Sequence, residues 1–313
     1  MGRRKPGPRR RSLLALLAAL AIAVSLPAGA QSAPATADEP SWLVYERARE
    51  RLEAGELGEA LELYLSIRPT GHRAPEVEMA VGDIFRLQAE PALAEWHYRR
   101  ALELAASFEV PDDRYTVHYR LADMFRQLGR YEAMEKELLA VLELPAGYPF
   151  ERLRGAVARV FRQDGIDRVL VLYRLAGALT ARAHSGLAWY YARAGRPAEA
   201  VEHALFSIVI VLSRAIDEFR SQQPSFKFEG VSPFLSLAAR EADIGEYLAG
   251  GTLPADIYSL GVALQALGDA EGAVRAWHLL AGSPLESAAR DLADRQLARP
   301  FAERLPAAAP PLR

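Results

Sequence analysis

The 313-residue sequence contains no cysteine. This absence excludes disulfide bonds, thiolate metal ligands and a cysteine nucleophile. It also excludes the cysteine of a lipobox, so we expect no lipid attachment at the N-terminus. Half of the residues are hydrophobic, and a chain of this length can bury a large core without covalent cross-links.

The sequence also lacks the short motifs of common catalytic sites. It has no His-Glu-x2-His pattern, no Gly-rich phosphate loop and no Gly-x-Ser-x-Gly elbow. The histidines are scattered singly, at His72, His97, His118, His184, His203 and His278. Single histidines in helices more often pack or face solvent than bind metal. We therefore predict a non-catalytic protein with no metal and no cofactor.

An excess of positive charge is absent as well. The sequence has 38 Lys and Arg against 40 Asp and Glu, and six of the basic residues lie among the first 11. Without that N-terminal segment the chain carries 32 basic and 40 acidic residues, a net charge of −8. Phosphate binding needs a net basic face, so nucleic acid is an unfavourable partner, as is an anionic membrane surface.

The N-terminus has the three parts of a secretory signal. The basic residues 1–11 precede a nearly continuous Leu, Ala, Ile and Val run over 13–26, which Pro27 ends, and small residues continue up to Ala30. This pattern predicts a signal peptide over 1–30, cleaved after Ala30, and a protein of the periplasm or exterior. The alternative is a retained anchor, but a bilayer span needs about 20 apolar residues. The pattern leaves the general and twin-arginine export routes open.

A short motif recurs along the rest of the chain. It consists of a large apolar residue, a small residue, two variable positions and usually an aromatic residue. The copies are Val81-Gly82-x2-Phe85, Leu121-Ala122-x2-Phe125, Val157-Ala158-x2-Phe161, Leu187-Ala188-x2-Tyr191 and Leu260-Gly261-x2-Leu264. A second motif, an alanine followed four residues later by an aromatic residue, accompanies some of these copies. Two examples are Ala60-x3-Tyr64 and Ala94-x3-Tyr98, whose alanines are 34 residues apart.

From about residue 41 to 284 the sequence resembles the tetratricopeptide repeat (TPR) family, whose period is 34 residues. The resemblance implies an all-α fold, a right-handed superhelical solenoid of about six TPR-like helix–turn–helix units. Small residues would let the two helices of a unit approach closely, and large residues would fill the space around them. The alternative is a helical bundle without repeats.

The repeats suggest how the chain is organised. The predicted segments are a signal peptide (1–30), a disordered linker (31–40), repeats one to five (41–221), an inserted loop and helix (222–252), repeat six with a capping helix (253–300) and a disordered tail (301–313). The helix that begins at Pro197 is atypically long, and its middle, Ala204 to Leu212, is apolar on all sides. Such a helix is buried within one chain or shared between two copies.

The resemblance also implies that the first helix of each unit lines a concave groove that binds a protein or peptide. The partner-binding residues predicted on this basis are Tyr45, Arg86, Tyr119, Arg126, Arg162, Trp189 and Tyr258. Arg86, Arg126 and Arg162 would form a row suited to an acidic segment, because Arg presents paired donors to carboxylates. Alternatively, Asp83 and Asp123 pair with the arginines and leave the face neutral.

Two functions are consistent with these expectations. The first is a periplasmic scaffold that binds a protein or peptide partner during the assembly of an envelope complex or during transport. The second is a small-ligand-binding component whose pocket is closed by residues 222–249 and lined by Phe226, Phe228, Trp189 and Tyr258. A deep apolar cavity favours the second function, and an open groove favours the first.

Overall fold

The structure is a computed structural model that describes residues 39–67 and 74–306. The predicted signal peptide, nearly all of the predicted linker and residues 307–313 lie outside the described residues. Within them all regular structure is helical, which confirms the all-α class. The helices are α1 (Ser41–Glu53), α2 (Leu57–Ile67), α3 (Ala74–Leu87), α4 (Pro91–Glu103), α5 (Asp113–Gln127), α6 (Tyr131–Glu143), α7 (Phe150–Leu172), α8 (Ala178–Arg193), α9 (Pro197–Gln222), α10 (Val231–Ala238), α11 (Ala242–Gly250), α12 (Leu253–Ala266), α13 (Ala270–Ala281) and α14 (Ala288–Ala298).

Most helices pack against the next helix in the chain. The closely packed pairs are α1 with α2, α3 with α4, α5 with α6, α8 with α9, and α12 with α13. A connection of only three residues joins the helices of each pair, so the two run antiparallel. Gly129 and Gly195 provide the left-handed backbone at two of these connections, with φ of 68° and 78°.

Small residues allow the paired helices to approach. A Cβ atom added to Gly82 on α3 would lie 2.7 Å from the ring of Tyr98 on α4. A Cβ atom added to Gly261 on α12 would lie 2.3 Å from Nε1 of Trp277 on α13. Both aromatic side chains are almost completely buried. The glycines predicted to permit close contact therefore do so, and the aromatic residue fills the space within the pair.

Successive pairs also contact one another, with one interruption. Helix α2 packs on α3, α4 on α5, and α6 on α8 rather than on α7. Helix α7 packs instead on α9, and it is kinked at Gly165, whose φ of 79° and ψ of −178° are not helical. The predicted fourth unit thus does not stand between the third and the fifth. Its second half has Leu170 where four other units have alanine, but the third unit has Met134 there and its two helices still pair, so the missing alanine alone does not account for the departure of α7.

The long helix α9 is the centre of the core. Residues 203–213 are all buried, and the helix packs against α7, α8, α11 and α12 of the same chain. Burial within one chain is therefore the arrangement seen, and this stretch offers no apolar face to a second copy. Among the described residues, no helix combines the length and the apolar character that crossing a bilayer requires.

The segments after α9 differ in part from their prediction. The inserted region contains two short helices, α10 and α11, where a single helix was expected. The closing helix is present as α14. Disorder was predicted from residue 301 onward, but residues 301–306 make several hydrogen bonds to the helices although they form no helix themselves. In these six residues an extended segment with polar contacts stands in place of the predicted disorder, and residues 307–313 lie outside the described residues.

The contact between Gly261 and Trp277 gives a first prediction. We expect Gly261→Ala to destabilise the protein, because overpacking costs about 1–3 kcal/mol and outweighs the helix propensity that alanine gains, at most ~1 kcal/mol. Gly155→Ala is the matched control, since Gly155 lies inside α7 with no atom within 4 Å of the added Cβ. Urea unfolding of both variants measures the difference. Equal stabilisation by both changes would contradict the proposed steric role.

Candidate functional site

Three helix pairs contain a polar pair at the same position, buried in two of them and partly buried in the third. In each case a first-helix residue, four positions before the small residue of the motif, contacts a second-helix residue 19 positions later. The pairs are Glu78 with His97 (2.7 Å), His118 with Glu137 (2.8 Å) and His184 with His203 (2.8 Å). Four of the six histidines therefore have a structural partner.

The electrostatics of these pairs depends on burial. Burial alone would raise the pKa of Glu137, but hydrogen bonds from His118 and Arg99 outweigh it and the pKa is lowered. Burial lowers the pKa of His184 well below its usual value and that of His203 to about 3, so both rings are neutral near pH 7. Among the described residues, no three His, Asp or Glu side chains are grouped as metal binding requires.

The two aspartates beside the predicted arginine row have other partners. Asp83 accepts hydrogen bonds from Tyr98 (2.7 Å) and from Arg120 of α5, whereas Arg86 approaches it only to 3.9 Å. Burial raises the pKa of Asp83, and Arg120 opposes that rise. Asp123 on α5 likewise pairs with Arg182 on α8, and Arg126 lies 3.9 Å away. The acids therefore join neighbouring first helices and engage Arg86 and Arg126 only weakly.

Three of the predicted partner-binding residues meet at one hollow. A cavity of about 190 Å³ between α5 and α8 is lined by Tyr119, Arg126, Trp189 and Arg182, together with residues of α6 and α12. The guanidinium of Arg182 lies 4.7 Å from the Tyr119 ring centroid. Arg126 remains more than half exposed at the edge of the cavity. The hollow thus combines aromatic faces with a cation, at a volume suited to one or two side chains.

The other predicted residues lie elsewhere. Tyr45 on α1 packs edge-on against Tyr64, with ring centroids 5.4 Å apart, and Arg86 lies on α3. Arg162 lines a different cavity, because α7 leaves the series of stacked pairs. The three arginines therefore do not form the continuous row that was predicted.

Two predicted residues, Tyr119 and Tyr258, are buried rather than exposed. Tyr119 donates a hydrogen bond to the carbonyl of Leu179 and accepts one from the backbone N–H of Ala183, so α8 covers it. Residues 300–306, the C-terminal segment that follows α14, contact Tyr258 through Glu303. The motif contained no information on which later segment would cover each of them.

The C-terminal segment makes a set of contacts that the sequence did not reveal. Tyr258 donates a hydrogen bond to Oε1 of Glu303 (2.5 Å), and Nε of Arg193 donates to Oε2 (3.2 Å). The buried Gln296 of α14 accepts a hydrogen bond from the backbone N–H of Phe301 (2.9 Å) and donates one to its carbonyl (3.0 Å). Glu303 lies in a segment with no repeat pattern, so no sequence signal indicated its role.

A larger cavity lies at the kink of α7. It has a volume of about 550 Å³ and is bounded by α7, α9, α12 and α13. Its lining includes Arg162, Asp167, Asp269 and Arg275, beside apolar residues such as Ile208. It is not the predicted apolar pocket, because Phe226 and Phe228 pack on Phe234 and do not line it.

A buried carboxyl group lies where α8, α9 and α12 meet. Ser207 of α9 donates a hydrogen bond to Oδ2 of Asp256 on α12 (2.6 Å). Burial raises the pKa of Asp256 to about 7, although hydrogen bonds from Ser185, Ser207 and Thr252 oppose the rise. The buried carboxyl group therefore joins the last helix pair to the preceding one, and the sequence motif gave no indication of it.

No family model matches the chain. An uncharacterized protein of Treponema pallidum (strain Nichols) is 31% identical over 150 residues, which are 46% of this chain and 40% of that relative. The chain thus spans less than half the length of the relative that it matches.

The raised pKa of Asp256 gives a second prediction. Because the folded pKa of about 7 exceeds the unfolded value of 3.8, the stability contribution is complete below pH 3.8 and is lost as the pH rises toward 7. Asp256→Asn cannot ionise, so its stability relative to the original protein should increase from pH 5 to pH 8 by up to about 3 kcal/mol, since about two pH units of this window lie below the folded pKa. Denaturant unfolding at a series of pH values measures this difference.

Asp243→Asn is the control, since Asp243 is exposed on α11. Its stability relative to the original protein should not vary over this pH range. A parallel pH dependence of the two variants would show that the burial of Asp256 is not the cause.

Proposed function

We propose that this chain is a non-catalytic scaffold in which stacked TPR-like helix pairs bind an extended acidic segment of a partner protein. The observation that carries the proposal is the hollow between α5 and α8, where Tyr119, Arg126 and Trp189 meet beside Arg182. Aromatic and Arg side chains are enriched at binding hot spots, and Arg binds carboxylates with paired donors.

Repeated local geometry supports the TPR-like architecture. The polar pairs occupy the same position in three helix pairs, always 19 residues apart. Gly82 under Tyr98 and Gly261 under Trp277 are equivalent contacts in two pairs. Successive pairs pack on each other through α2 and α3, α4 and α5, and α6 and α8. In a solenoid of such units the first helices lie side by side and form a continuous concave groove.

Ion pairs between the first helices of different pairs support a shared binding face. Arg120 of α5 pairs with Asp83 of α3, and Arg182 of α8 pairs with Asp123 of α5. These ion pairs hold α3, α5 and α8 in register. Because the acids are engaged by these bridges, the exposed guanidinium of Arg126 is available to an incoming carboxylate.

The proposed location is the periplasm or the exterior, after cleavage following Ala30. It rests on the basic and apolar pattern of residues 1–30. A scaffold in this location would act in the assembly of an envelope complex or in transport.

The cavity at the kink of α7 favours a second candidate, a component that binds a small ligand. Its volume of about 550 Å³ lies within the range of small-molecule sites, roughly 300–1,000 Å³. Its mixed lining, with Arg162 and Arg275 beside Asp167 and Asp269, suits a polar ligand that carries both charges.

Selection from a displayed random-peptide library tests the first candidate. We expect the immobilised protein to enrich peptides with acidic residues, and Arg126→Glu to weaken their binding at least tenfold because the change repels the carboxylates. Arg100→Glu is the matched control: like Arg126, Arg100 is about half exposed and lies near a carboxylate three residues away, but it is on the second helix α4. Fluorescence anisotropy measures the affinities.

Two results would count against this function. One is enrichment of peptides without acidic residues. The other is equal weakening by Arg126→Glu and Arg100→Glu, which would indicate a general effect of charge and no site between α5 and α8.

A further inference from the structure

Residues 300–306 continue from the last helix as an extended segment against the helices. They form no helix or strand, yet backbone or side-chain groups of Phe301, Glu303 and Pro306 make hydrogen bonds to α6, α8, α12 and α14. Leu305 packs against the hydrophobic core. The contacts alternate between backbone and side-chain recognition, as they do when a protein binds an extended peptide.

The site around Glu303 is built from buried polar side chains. Arg193 and Tyr258 both reach its carboxylate, and their side chains are almost fully covered. Burial lowers the pKa of Arg193, and Glu303 offsets part of that effect. The guanidinium also lies 5.1 Å from the Trp189 ring centroid and donates a hydrogen bond to the Trp189 carbonyl (3.0 Å). Arg193 is therefore held in place from two sides and directed at one carboxylate.

The backbone of the segment is recognised next to that carboxylate. The side-chain amide of Gln296 makes two hydrogen bonds to Phe301 and a third, of 3.3 Å, to the hydroxyl of Tyr258. Gln296 has no exposed surface. A buried amide that satisfies both backbone groups of one residue fixes the position and direction of an extended chain.

The segment then reaches the proposed partner-binding hollow. Tyr131 donates a hydrogen bond to the carbonyl of Pro306 (2.9 Å), and its ring lies 6.0 Å from that of Trp189. Trp189 lines the hollow between α5 and α8. Residues 300–306 therefore run beside the face on which the proposed function depends.

We propose that residues 300–306 are an intramolecular strap that occupies a binding site for an extended acidic segment, and that a partner's segment of the same chemistry binds there when the strap leaves. This inference rests on the proposed function. The contacts of the strap indicate the chemistry of the ligand. It needs a carboxylate that Arg193 and Tyr258 can bind, and an extended backbone two residues earlier that Gln296 can bind. The strap is joined covalently to α14, so a free segment competes with a high effective concentration.

Anisotropy titration of a labelled peptide that carries the sequence of residues 299–308 tests the strap in the full chain. Glu303→Gln removes the charge that holds the strap, so we expect this variant to bind the peptide at least tenfold more tightly than the original protein. A peptide with Gln in place of Glu303 should bind neither protein. Adding Arg193→Gln to Glu303→Gln should abolish binding, and circular dichroism checks that this variant folds. Glu286→Gln, at an exposed glutamate before α14, should behave like the original protein.

Limited trypsin digestion gives a second measurement that needs no added ligand. The bond after Arg304 lies within the strap, and we expect cleavage there to be at least tenfold faster in Glu303→Gln than in the original protein or in Glu286→Gln. Mass spectrometry detects the loss of the C-terminal residues. Equal cleavage in all three proteins would overturn the strap.

The titration separates the two proposals. The original protein and Glu303→Gln could bind the peptide equally, with binding lost only when Arg193→Gln is added. That result would overturn the strap but leave the peptide-binding face standing. No binding to either form would overturn the inference, while Arg126 and the hollow between α5 and α8 would still be tested by the library selection.

Discussion

The close approach of two antiparallel helices is the constraint on which the rest of this structure depends. Where Gly82 and Gly261 lie under Tyr98 and Trp277, the helix axes are near enough for a single aromatic ring to fill the pair. A helix pair built in this way cannot bury both of its faces alone, so each pair needs a neighbour. The ion pairs between first helices and the buried carboxyl of Asp256 act at those contacts between neighbours.

The sequence predicted the features that depend on local spacing. The small residue of each motif and the second-helix residues that accompany it indicated the helix pairs, because side chains on a helix repeat with a fixed period. The length of α9 was also predictable, since the helical pattern that begins at Pro197 continues well beyond a normal repeat helix.

Features that depend on contacts between distant segments were not predictable. Residues 157–165 carry the same motif as the other first helices, so the motif gave no sign that α7 would leave the series of stacked pairs. The partner of each aspartate could not be predicted either, because Asp83 and Asp123 each have one arginine three residues away and another on a different helix. Only the fold decides which of the two lies closer.

The polar pairs have a consequence for the order of the helix pairs along the chain. The acid is on the first helix in Glu78–His97, it is on the second helix in His118–Glu137, and His184–His203 has none. An exchange that brought α3 against α6 would place Glu78 opposite Glu137 in a buried site, where two carboxylates repel each other. The pairs are alike in shape but not interchangeable in charge. Charge therefore distinguishes α3 and α6 from the other helices of these pairs, and it disfavours a mispairing that brings those two together, within one chain or between two copies.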